Sequence, residues 1–138
     1  KGKKGVVGNQ TVVEGEQFKV GNQNWRLFGI DAPENSQKCK TAGGDIFLCG
    51  EASTDTLISL IGDQDVECSS DEIDRYNRPI AKCFIGSTDI AAEMVRLGMA
   101  VPYLKYSTLY DPIGQEAEAS KVGLWSGKFQ MPWDYRTR

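Results

Sequence analysis

Short runs of β-forming residues, separated by turn signals every few positions, constrain residues 5–30 more than any other feature constrains the chain. The runs are Val6-Val7, Thr11-Val13, Phe18-Val20 and Trp25-Phe28, and the turn signals are Gly8-Asn9, Gly15 and Gly21-Asn22. Short β runs divided by glycine and asparagine are typical of consecutive antiparallel strands. The pattern predicts a meander of three strands at the start of the fold.

The remainder of the chain predicts a loop, a helix, two more strands and two further helices. In chain order these are a loop over 33–50, a helix over 51–61 that stops at Gly62, strands over 66–68 and 79–85, a helix that Asp89 caps and Gly98 ends, and a helix that begins at Asp111-Pro112 and ends near Gly123. Five strands and three helices fit a mainly β, α+β architecture, an OB-fold with a five-stranded barrel. A chain of 138 residues suffices for one such domain, spanning residues 1–138.

No histidine occurs in the sequence. Serine–histidine triads, cysteine–histidine dyads and most zinc-enzyme sites are therefore excluded, and catalysis must use carboxylates, arginines, hydroxyls, thiols or an oxygen-ligated metal. No apolar run approaches the ~20 residues that span a bilayer, so no membrane partner is expected. Lys and Arg number 16 against 19 Asp and Glu, and five of the basic residues lie at positions 1, 3, 4, 136 and 138. This balance disfavours tight non-specific binding to polyanions.

The four cysteines, Cys39, Cys49, Cys68 and Cys83, form no C-x-x-C pair, so neither a structural zinc site nor a thioredoxin-like motif is expected. An even number in a small domain favours two disulfides made in an oxidising compartment, with four buried free thiols as the alternative. Residue spacing leaves all three connectivities open. The sequence begins at Lys1 without a signal peptide, so we expect one to have been cleaved or left out.

One segment, residues 26–34 (RLFGIDAPE), places a cation and two carboxylates across a strand end and a turn fixed by proline. Three further motifs follow it along the chain: DRYNR at 74–78, GMA at 98–100 and GLW at 123–125. In this order, from about Val7 to Trp125, the motifs resemble those of the staphylococcal nuclease family. The segment 26–34 is the specific part of this resemblance, whereas GLW at 123–125 alone would be weak evidence for the family.

The resemblance implies a calcium-dependent phosphodiesterase that cleaves single-stranded or locally unpaired DNA and RNA. It makes Glu16 and Asp31 calcium ligands, with the backbone carbonyl of Ala32 as a third. Calcium prefers hard oxygen ligands of this kind.

The same resemblance assigns the reaction itself to three side chains. Glu34 would position or deprotonate the attacking water, while Arg26 and Arg78 would hold the scissile phosphate. A metal and two guanidinium groups would stabilise the charge that gathers on the phosphate oxygens, and the fork of arginine can engage two oxygens at once.

Nucleotide contacts and cellular location are also implied by the resemblance. Arg75, Tyr76 and Tyr106 would contact the bound nucleotide. The cysteine pattern resembles secreted and periplasmic bacterial members, in which the pairs would be Cys39–Cys49 and Cys68–Cys83. A monomer without an obligate protein partner is expected.

The chain departs from the usual family pattern in its first strand motif, which is commonly Asp-Gly-Asp-Thr and here is EGEQ at 14–17. Each acidic side chain is one methylene longer, and an amide replaces a hydroxyl. A displacement of about 1 Å at a reacting centre can cost on the order of a hundredfold in rate. We therefore expect weaker calcium binding and reduced activity, with Glu16→Asp raising both and Gln17→Thr raising them further. Elsewhere Asn77 replaces a glycine, and Leu104 replaces an aromatic residue.

Less specific interpretations stand beside these. The acidic and basic residues of the motifs could form an ordinary salt-bridge network, Tyr76 and Tyr106 could be packing residues, and the acidic stretch over 63–74 is expected to be a solvated rim. Trp125 is expected to be core. At the level of function, the alternatives are a catalytically impaired nuclease-like binding or accessory module, conceivably linked to exopolysaccharide production, and an OB-fold that binds another ligand.

Overall fold

The computed structural model describes residues 3–7, 11–20 and 22–137. The predicted turn at Gly8-Asn9 and the glycine at 21 lie outside these residues. The strands are β1 (Lys3–Val7), β2 (Thr11–Glu14), β3 (Gln17–Val20), β4 (Gln23–Leu27), β5 (Ile30–Asp31), β6 (Cys39–Lys40), β7 (Ile46–Phe47), β8 (Val66–Ile73), β9 (Pro79–Ile85), β10 (Thr88–Asp89) and β11 (Val101–Pro102). The α-helices are α1 (Cys49–Ile61), α2 (Ile90–Arg96), α3 (Asp111–Ser120) and α4 (Pro132–Arg136).

The main sheet has the strand order β1-β8-β9-β4-β3-β2, with β10 paired to β9. The predicted meander is β2-β3-β4, antiparallel throughout, whereas β1 pairs with β8 instead of joining it. β4 runs parallel to β9 and thereby joins the meander to the antiparallel hairpin of β8 and β9. A separate two-stranded pairing of β5 and β11 places Asp31 opposite Val101.

The β8–β9 hairpin is longer than the sequence predicts, because residues 69–73 continue β8. Their composition, SSDEI, is polar and argues for a loop. β9 pairs along this extension, β1 pairs with residues 69 and 70 on the other side, and alternate side chains through Ser70 are buried. The predicted polar connection is thus reduced to the turn over 74–77.

All three predicted helices are present. The Asp89 side chain caps α2 by accepting a hydrogen bond from the Ala92 N–H at 3.3 Å, and α3 carries its proline in the first turn. The structure adds a 3₁₀ turn, Gly123–Ser126, and the short helix α4. α4 has 5 residues, too few to be stable as a helix by propensity alone. Its formation therefore depends on tertiary packing, which the local sequence does not predict. The mixed, OB-like α+β class is confirmed.

Two hydrophobic clusters support the fold. The larger lies between the main sheet and the helices and contains Phe18, Leu27, Leu57, Val66 and Met94. The smaller lies beneath the chain's C-terminal part, where Val101 and Leu124 are buried and Trp125, partly buried, packs against them. No helix in the described ranges is both long and apolar enough to cross a membrane.

Each of the four cysteines is in a disulfide. Cys39 is bonded to Cys49 and ties the loop after Glu34 to the start of α1. Cys68 is bonded to Cys83, its direct cross-strand neighbour in the β8–β9 hairpin. These are the pairs that the family resemblance implies, and each supports a different side of the cavity described next.

Candidate functional site

One concave cavity of about 840 Å³ collects most of the residues that the sequence motifs single out. Its lining includes Glu14, Glu16, Gln17, Arg26, Asp31, Glu34, Asp74, Arg75, Tyr76, Arg78, Tyr103, Tyr106 and Arg136. We call Glu16, Asp31 and Glu34, with the guanidinium groups of Arg26 and Arg136, the carboxylate side. We call the turn region of β8–β9, with Arg75, Tyr76 and Arg78, the hairpin side.

The tight turn between β2 and β3 positions Glu16. Glu14 and Gln17 pair across it, leaving Gly15 and Glu16 as the two turn residues. A Cβ on Gly15 would lie 1.9 Å from Ser53 Oγ and 2.9 Å from the Ala32 side chain, so only glycine allows the turn to approach α1 and the Asp31 loop this closely. Glu16 is consequently only 3% exposed.

Arg26, on β4, lies between the two acidic residues that the resemblance assigns to calcium. Its Nη1 is 3.7 Å from Glu16 Oε2, and its Nη2 is 3.6 Å from Asp31 Oδ1. Glu16 Oε1 and Arg26 Nη1 are buried, and neither has a hydrogen-bond partner among the described residues. Buried polar atoms are normally satisfied, so a carboxylate oxygen without a hydrogen-bond partner on a residue that lines the cavity indicates a position suited to a ligand.

Arg136, on α4, bridges Asp31 and Glu34. Its Nη1 donates a hydrogen bond to Asp31 Oδ2 at 2.9 Å, its Nη2 donates to Asp31 Oδ1, and its Nε donates to Glu34 Oε2 at 2.5 Å. Burial lowers the pKa of this guanidinium, but its hydrogen bonds to Asp31 and its attraction to the two carboxylates outweigh burial and raise the pKa overall. Arg136 therefore remains charged in the site.

Close packing against α1 fixes the Glu34 loop. A Cβ on Gly50 would lie 1.8 Å from the Glu34 carbonyl oxygen, so glycine is required where the helix meets the loop. Gln37 is 1% exposed; its backbone N–H donates to the Glu34 carbonyl at 2.8 Å, and its Oε1 accepts from the Glu34 N–H at 3.3 Å. The Cys39–Cys49 disulfide closes the same region.

Arg78 reaches the cavity from the hairpin side and is held at both ends of its guanidinium. Its Nε donates to Asp74 Oδ2 at 2.7 Å, and its Nη1 donates to Gln17 Oε1 at 2.9 Å. Although burial raises the pKa of Asp74, hydrogen bonds from Arg78 and from the Tyr76 N–H lower it overall. Asn77 adopts a left-handed conformation with φ of 64° in this turn, a geometry that asparagine tolerates.

The predicted aromatic contacts, Tyr76 and Tyr106, and the nearby Leu104 all have exposed side chains. Tyr76 is 63% exposed, with the guanidinium carbons of Arg75 and Arg78 at 5.0 and 5.3 Å from its ring centre. Tyr106 donates a hydrogen bond to Glu72 and packs edge-on against Phe28. Leu104 is 51% exposed and lies outside the set of residues that line the cavity.

Two carboxyls that line the cavity, those of Glu16 and Glu14, hold their protons more tightly than usual. Burial raises the pKa of Glu16 to about 8; Arg26 opposes the shift, while Asp31 and Glu14 reinforce it. Burial also raises the pKa of Glu14 to about 7, and repulsion from Glu34 adds to this. Desolvation without a full set of charge partners is the common cause.

The donor set is suited to calcium in its chemistry. Glu16 and Asp31 offer carboxylate oxygens next to the Ala32 backbone, and one Glu16 oxygen is buried without a partner. Within residues 3–7, 11–20 and 22–137, however, no three acidic side chains converge tightly enough to hold a metal ion. The guanidinium groups of Arg26 and Arg136 balance the charge of Asp31 and its neighbours instead.

The structure thus brings Glu16, Arg26, Asp31, Glu34 and Arg78 to one cavity, whereas Ala32, the residue after Asp31, is buried and is not among the residues that line it. Arg75, Tyr76 and Tyr106 border the same space. The sequence analysis did not predict three features: the contacts of Arg136 in the cavity, the hydrogen bond between Arg78 and Gln17, and the hydrogen bond between Arg78 and Asp74. Only Asp74 carried a local signal, four residues before Arg78 in the same motif; nothing in the sequence connects position 136 to position 31.

A comparison with protein families matches residues 24–127 to the staphylococcal nuclease homologue family. The chain is 32% identical over 146 aligned residues to the "Probable endonuclease lcl3" of Sclerotinia sclerotiorum, covering 95% of this chain and 54% of that protein. It is 33% identical over 129 residues to an "Uncharacterized endonuclease" of Haemophilus influenzae, covering 81% and 66%. The "Succinoglycan biosynthesis protein ExoI" of Rhizobium meliloti is 26% identical over 123 residues, covering 87% and 64%. The chain therefore spans about half to two thirds of the length of these relatives.

Proposed function

Because the chain belongs to the staphylococcal nuclease family, we propose that it is a calcium-dependent phosphodiesterase that cleaves DNA and RNA. Family membership and the endonuclease relatives establish a nuclease-like domain. The metal, the substrates and the level of activity are our proposal. The observation that carries it is the position of Arg26, Asp31, Glu34 and Arg78 around one cavity.

The carboxylate side would hold the metal. Glu16 and Asp31 would supply carboxylate oxygens and Ala32 its carbonyl, all hard ligands of the kind calcium takes. When bound, calcium would polarise the scissile phosphate and offset the negative charge that develops on it. The buried Glu16 oxygen without a partner supports this assignment.

The residues that would act on phosphate and water lie on both sides of the cavity. Glu34, only partly buried, would accept a proton from the attacking water. Arg26 and Arg78 would both hold the non-bridging oxygens, since Arg26 projects from β4 and Arg78 directly precedes β9, the strand paired with β4. Two fixed guanidinium forks stabilise an anionic transition state better than mobile cations would.

Bases of the substrate would contact the hairpin side. Tyr76 is exposed, and Arg75 lies over its ring, an arrangement that favours stacking with an unpaired base. Tyr106 borders the same opening. We therefore expect single-stranded or locally unpaired DNA and RNA to be the substrates, and a monomer to suffice. The two disulfides support a secreted or periplasmic location.

The activity is expected to be lower than is usual in this family. The longer side chain at Glu16 must fold back to reach an ion next to Asp31, which costs rotamer freedom. The net acidic composition reduces the attraction of the polyanionic substrate. Both features act against turnover without removing the catalytic groups.

A second candidate function is that of a nuclease-like binding or accessory module without significant turnover. The observation that favours it is the similarity to a relative named for succinoglycan biosynthesis. The replacement of the usual first-strand motif by EGEQ at 14–17 is consistent with it. The two functions differ in whether calcium produces cleavage.

Digestion of single-stranded DNA and RNA tests the proposal directly. The protein is incubated with calcium or with a chelator, next to Glu34→Gln and to Glu93→Gln, an acidic residue that is ion-paired on α2 outside the cavity. We expect cleavage that requires calcium, that Glu34→Gln removes and that Glu93→Gln retains. Substrate binding without cleavage by any of the proteins would favour the accessory module.

A further inference from the structure

Arg136 is bound to the carboxylate of Asp31, which the proposed function assigns to calcium. Both Asp31 oxygens accept hydrogen bonds from its Nη atoms, and the Glu34 carboxylate accepts one from its Nε. A single side chain from α4 therefore engages a proposed metal ligand and the proposed general base together. Nothing else in the described cavity contacts both of these carboxylates directly.

A guanidinium in this position and a calcium ion on Asp31 exclude each other. Calcium needs carboxylate oxygens at about 2.3–2.6 Å. Both Asp31 oxygens already accept a hydrogen bond from Arg136, and Oδ1 also accepts one from the Ala32 N–H at 2.9 Å. Two positive groups in contact also repel each other strongly where water is scarce. Asp31 is 1% exposed, and Arg26 already lies 3.6 Å from it, so a third cation has no separate approach to this carboxylate.

The helix that carries Arg136 is attached to the domain by other contacts. The Tyr135 hydroxyl lies 3.0 Å from Ser36 Oγ, Gln37 Nε2 donates to the Gln130 carbonyl at 2.9 Å, and the Trp133 ring packs 5.2 Å from that of Tyr103. The Arg136 side chain itself is 35% exposed. The guanidinium can therefore turn into solvent while α4 remains docked.

We infer that Arg136 is a built-in competitor of calcium and sets the calcium concentration at which the site loads. This inference rests on the proposed function, since it takes Asp31 to be a calcium ligand. The apparent dissociation constant equals the intrinsic one divided by the fraction of molecules in which Arg136 has left Asp31. If Arg136 covers Asp31 nine times out of ten or more, removing it tightens calcium binding at least about tenfold.

Calorimetric titration of calcium chloride into the full chain tests this inference. Arg136→Ala is compared with the unmodified protein and with Arg96→Ala, a matched control because Arg96 also donates two hydrogen bonds to one carboxylate, that of Glu93, but outside the cavity. We expect Arg136→Ala to bind calcium about tenfold more tightly and Arg96→Ala to match the unmodified protein. Arg136→Gln, of similar length, repeats the test should alanine impair folding.

Thermal unfolding supplies a second measurement that does not depend on turnover. Saturating calcium should raise the melting temperature of Arg136→Ala more than that of the unmodified protein, because stabilisation grows with the ratio of ligand concentration to Kd. Equal or weaker calcium binding by both Arg136 variants, with the unmodified protein still binding, would overturn this inference and leave the proposed function intact. No calcium binding by any of these proteins would overturn the proposed calcium role and this inference together.

Discussion

The carboxylate side and the hairpin side of the cavity are built in different ways. On the carboxylate side, Glu16 and Asp31 are almost fully buried, and contacts distant in sequence hold them: Gly15 against α1, Asp31 opposite Val101, and Arg136 from the last helix. On the hairpin side, Tyr76 is largely exposed, and a turn of a few residues holds Arg78 through Asp74. One side is specified by tertiary packing and the other mainly by local structure.

This difference predicts how each side responds to change. Altering a buried carboxylate leaves guanidinium groups without partners in a region of low dielectric, which is costly. Altering an exposed turn residue changes hydrogen bonds that water can partly replace. The predictions below test this contrast, starting with the changes of largest expected effect.

The largest effects should come from Asp31 and Glu34, and they should differ in kind. Asp31→Asn should reduce calcium binding below detection, because it removes the charge of the more buried of the two proposed carboxylate ligands. Glu34→Gln should leave calcium affinity within about threefold while lowering the cleavage rate on the order of 10²–10⁴-fold, the usual contribution of a general base. Calorimetry and digestion of single-stranded DNA separate the two, and unimpaired calcium binding by Asp31→Asn would contradict the ligand assignment.

The two disulfides provide a second comparison, since each supports one side of the cavity. Replacing either pair by serine should lower the free energy of unfolding by about 2–4 kcal/mol, measured by denaturant titration. Only loss of Cys39–Cys49 should also lower the cleavage rate of the folded protein, because that bond fixes the loop of Glu34 against α1. Loss of Cys68–Cys83 should leave the rate of the folded fraction nearly unchanged. Equal losses of rate would show that the two sides are not independently supported.

A smaller effect is expected at Glu16, where the extra methylene separates this chain from the usual family motif. Glu16→Asp should tighten calcium binding several-fold and raise the cleavage rate with it, as measured by calorimetry and digestion. Glu116→Asp, exposed on α3 and outside the cavity, is the matched control. No change in either quantity would indicate that side-chain length is not the limiting defect, and competition by Arg136 would become the better explanation.

At the neighbouring position, a contact seen in the structure leads us to predict the opposite of the sequence expectation for Gln17→Thr. Gln17 Oε1 accepts a hydrogen bond from Arg78 Nη1, so the amide links the carboxylate side to the hairpin side. Gln17→Thr should therefore release Arg78 and raise the KM for single-stranded DNA about tenfold, the effect of losing a hydrogen bond to a charged group. Gln115→Thr, on the surface of α3, is the control. A lower KM in Gln17→Thr would restore the original expectation.

The difference between the two sides also explains what the sequence predicts well. The meander and the three longer helices follow from local patterns of turns and caps, whereas the disulfide pairs follow from the family resemblance. The family motifs bring the main site residues together because they lie on these elements. The extension of β8 over SSDEI and the short helix α4 both depend on packing partners elsewhere in the fold. The polar composition of SSDEI therefore predicts a loop, and no local sequence pattern predicts α4. Arg136 is the clearest case, since its contacts with Asp31 span 105 positions.

The smallest effect should come from Asp74, which anchors the hairpin side. Its carboxylate accepts hydrogen bonds from the backbone N–H groups of Tyr76 and Arg78 and from Arg78 Nε, and these bonds outweigh burial to hold its pKa below 3.8. Asp74→Asn keeps the shape of the side chain and an acceptor oxygen but removes the charge. It should lower the free energy of unfolding at neutral pH by about 1 kcal/mol.

The sign of the pH dependence follows from the direction of that shift. A carboxyl whose pKa is lower in the folded than in the unfolded state adds stability above the unfolded value of 3.8, and this stability is lost as the pH falls through the folded value. Denaturant titrations of the unmodified protein and Asp74→Asn should therefore differ most at neutral pH and converge in acid. Asp63→Asn, exposed after α1, serves as the control for general charge effects. A difference that persists unchanged at a pH below the folded pKa of Asp74 would mean that the Asp74 charge does not hold the turn, and that the hairpin side, like the carboxylate side, depends on contacts from elsewhere in the fold.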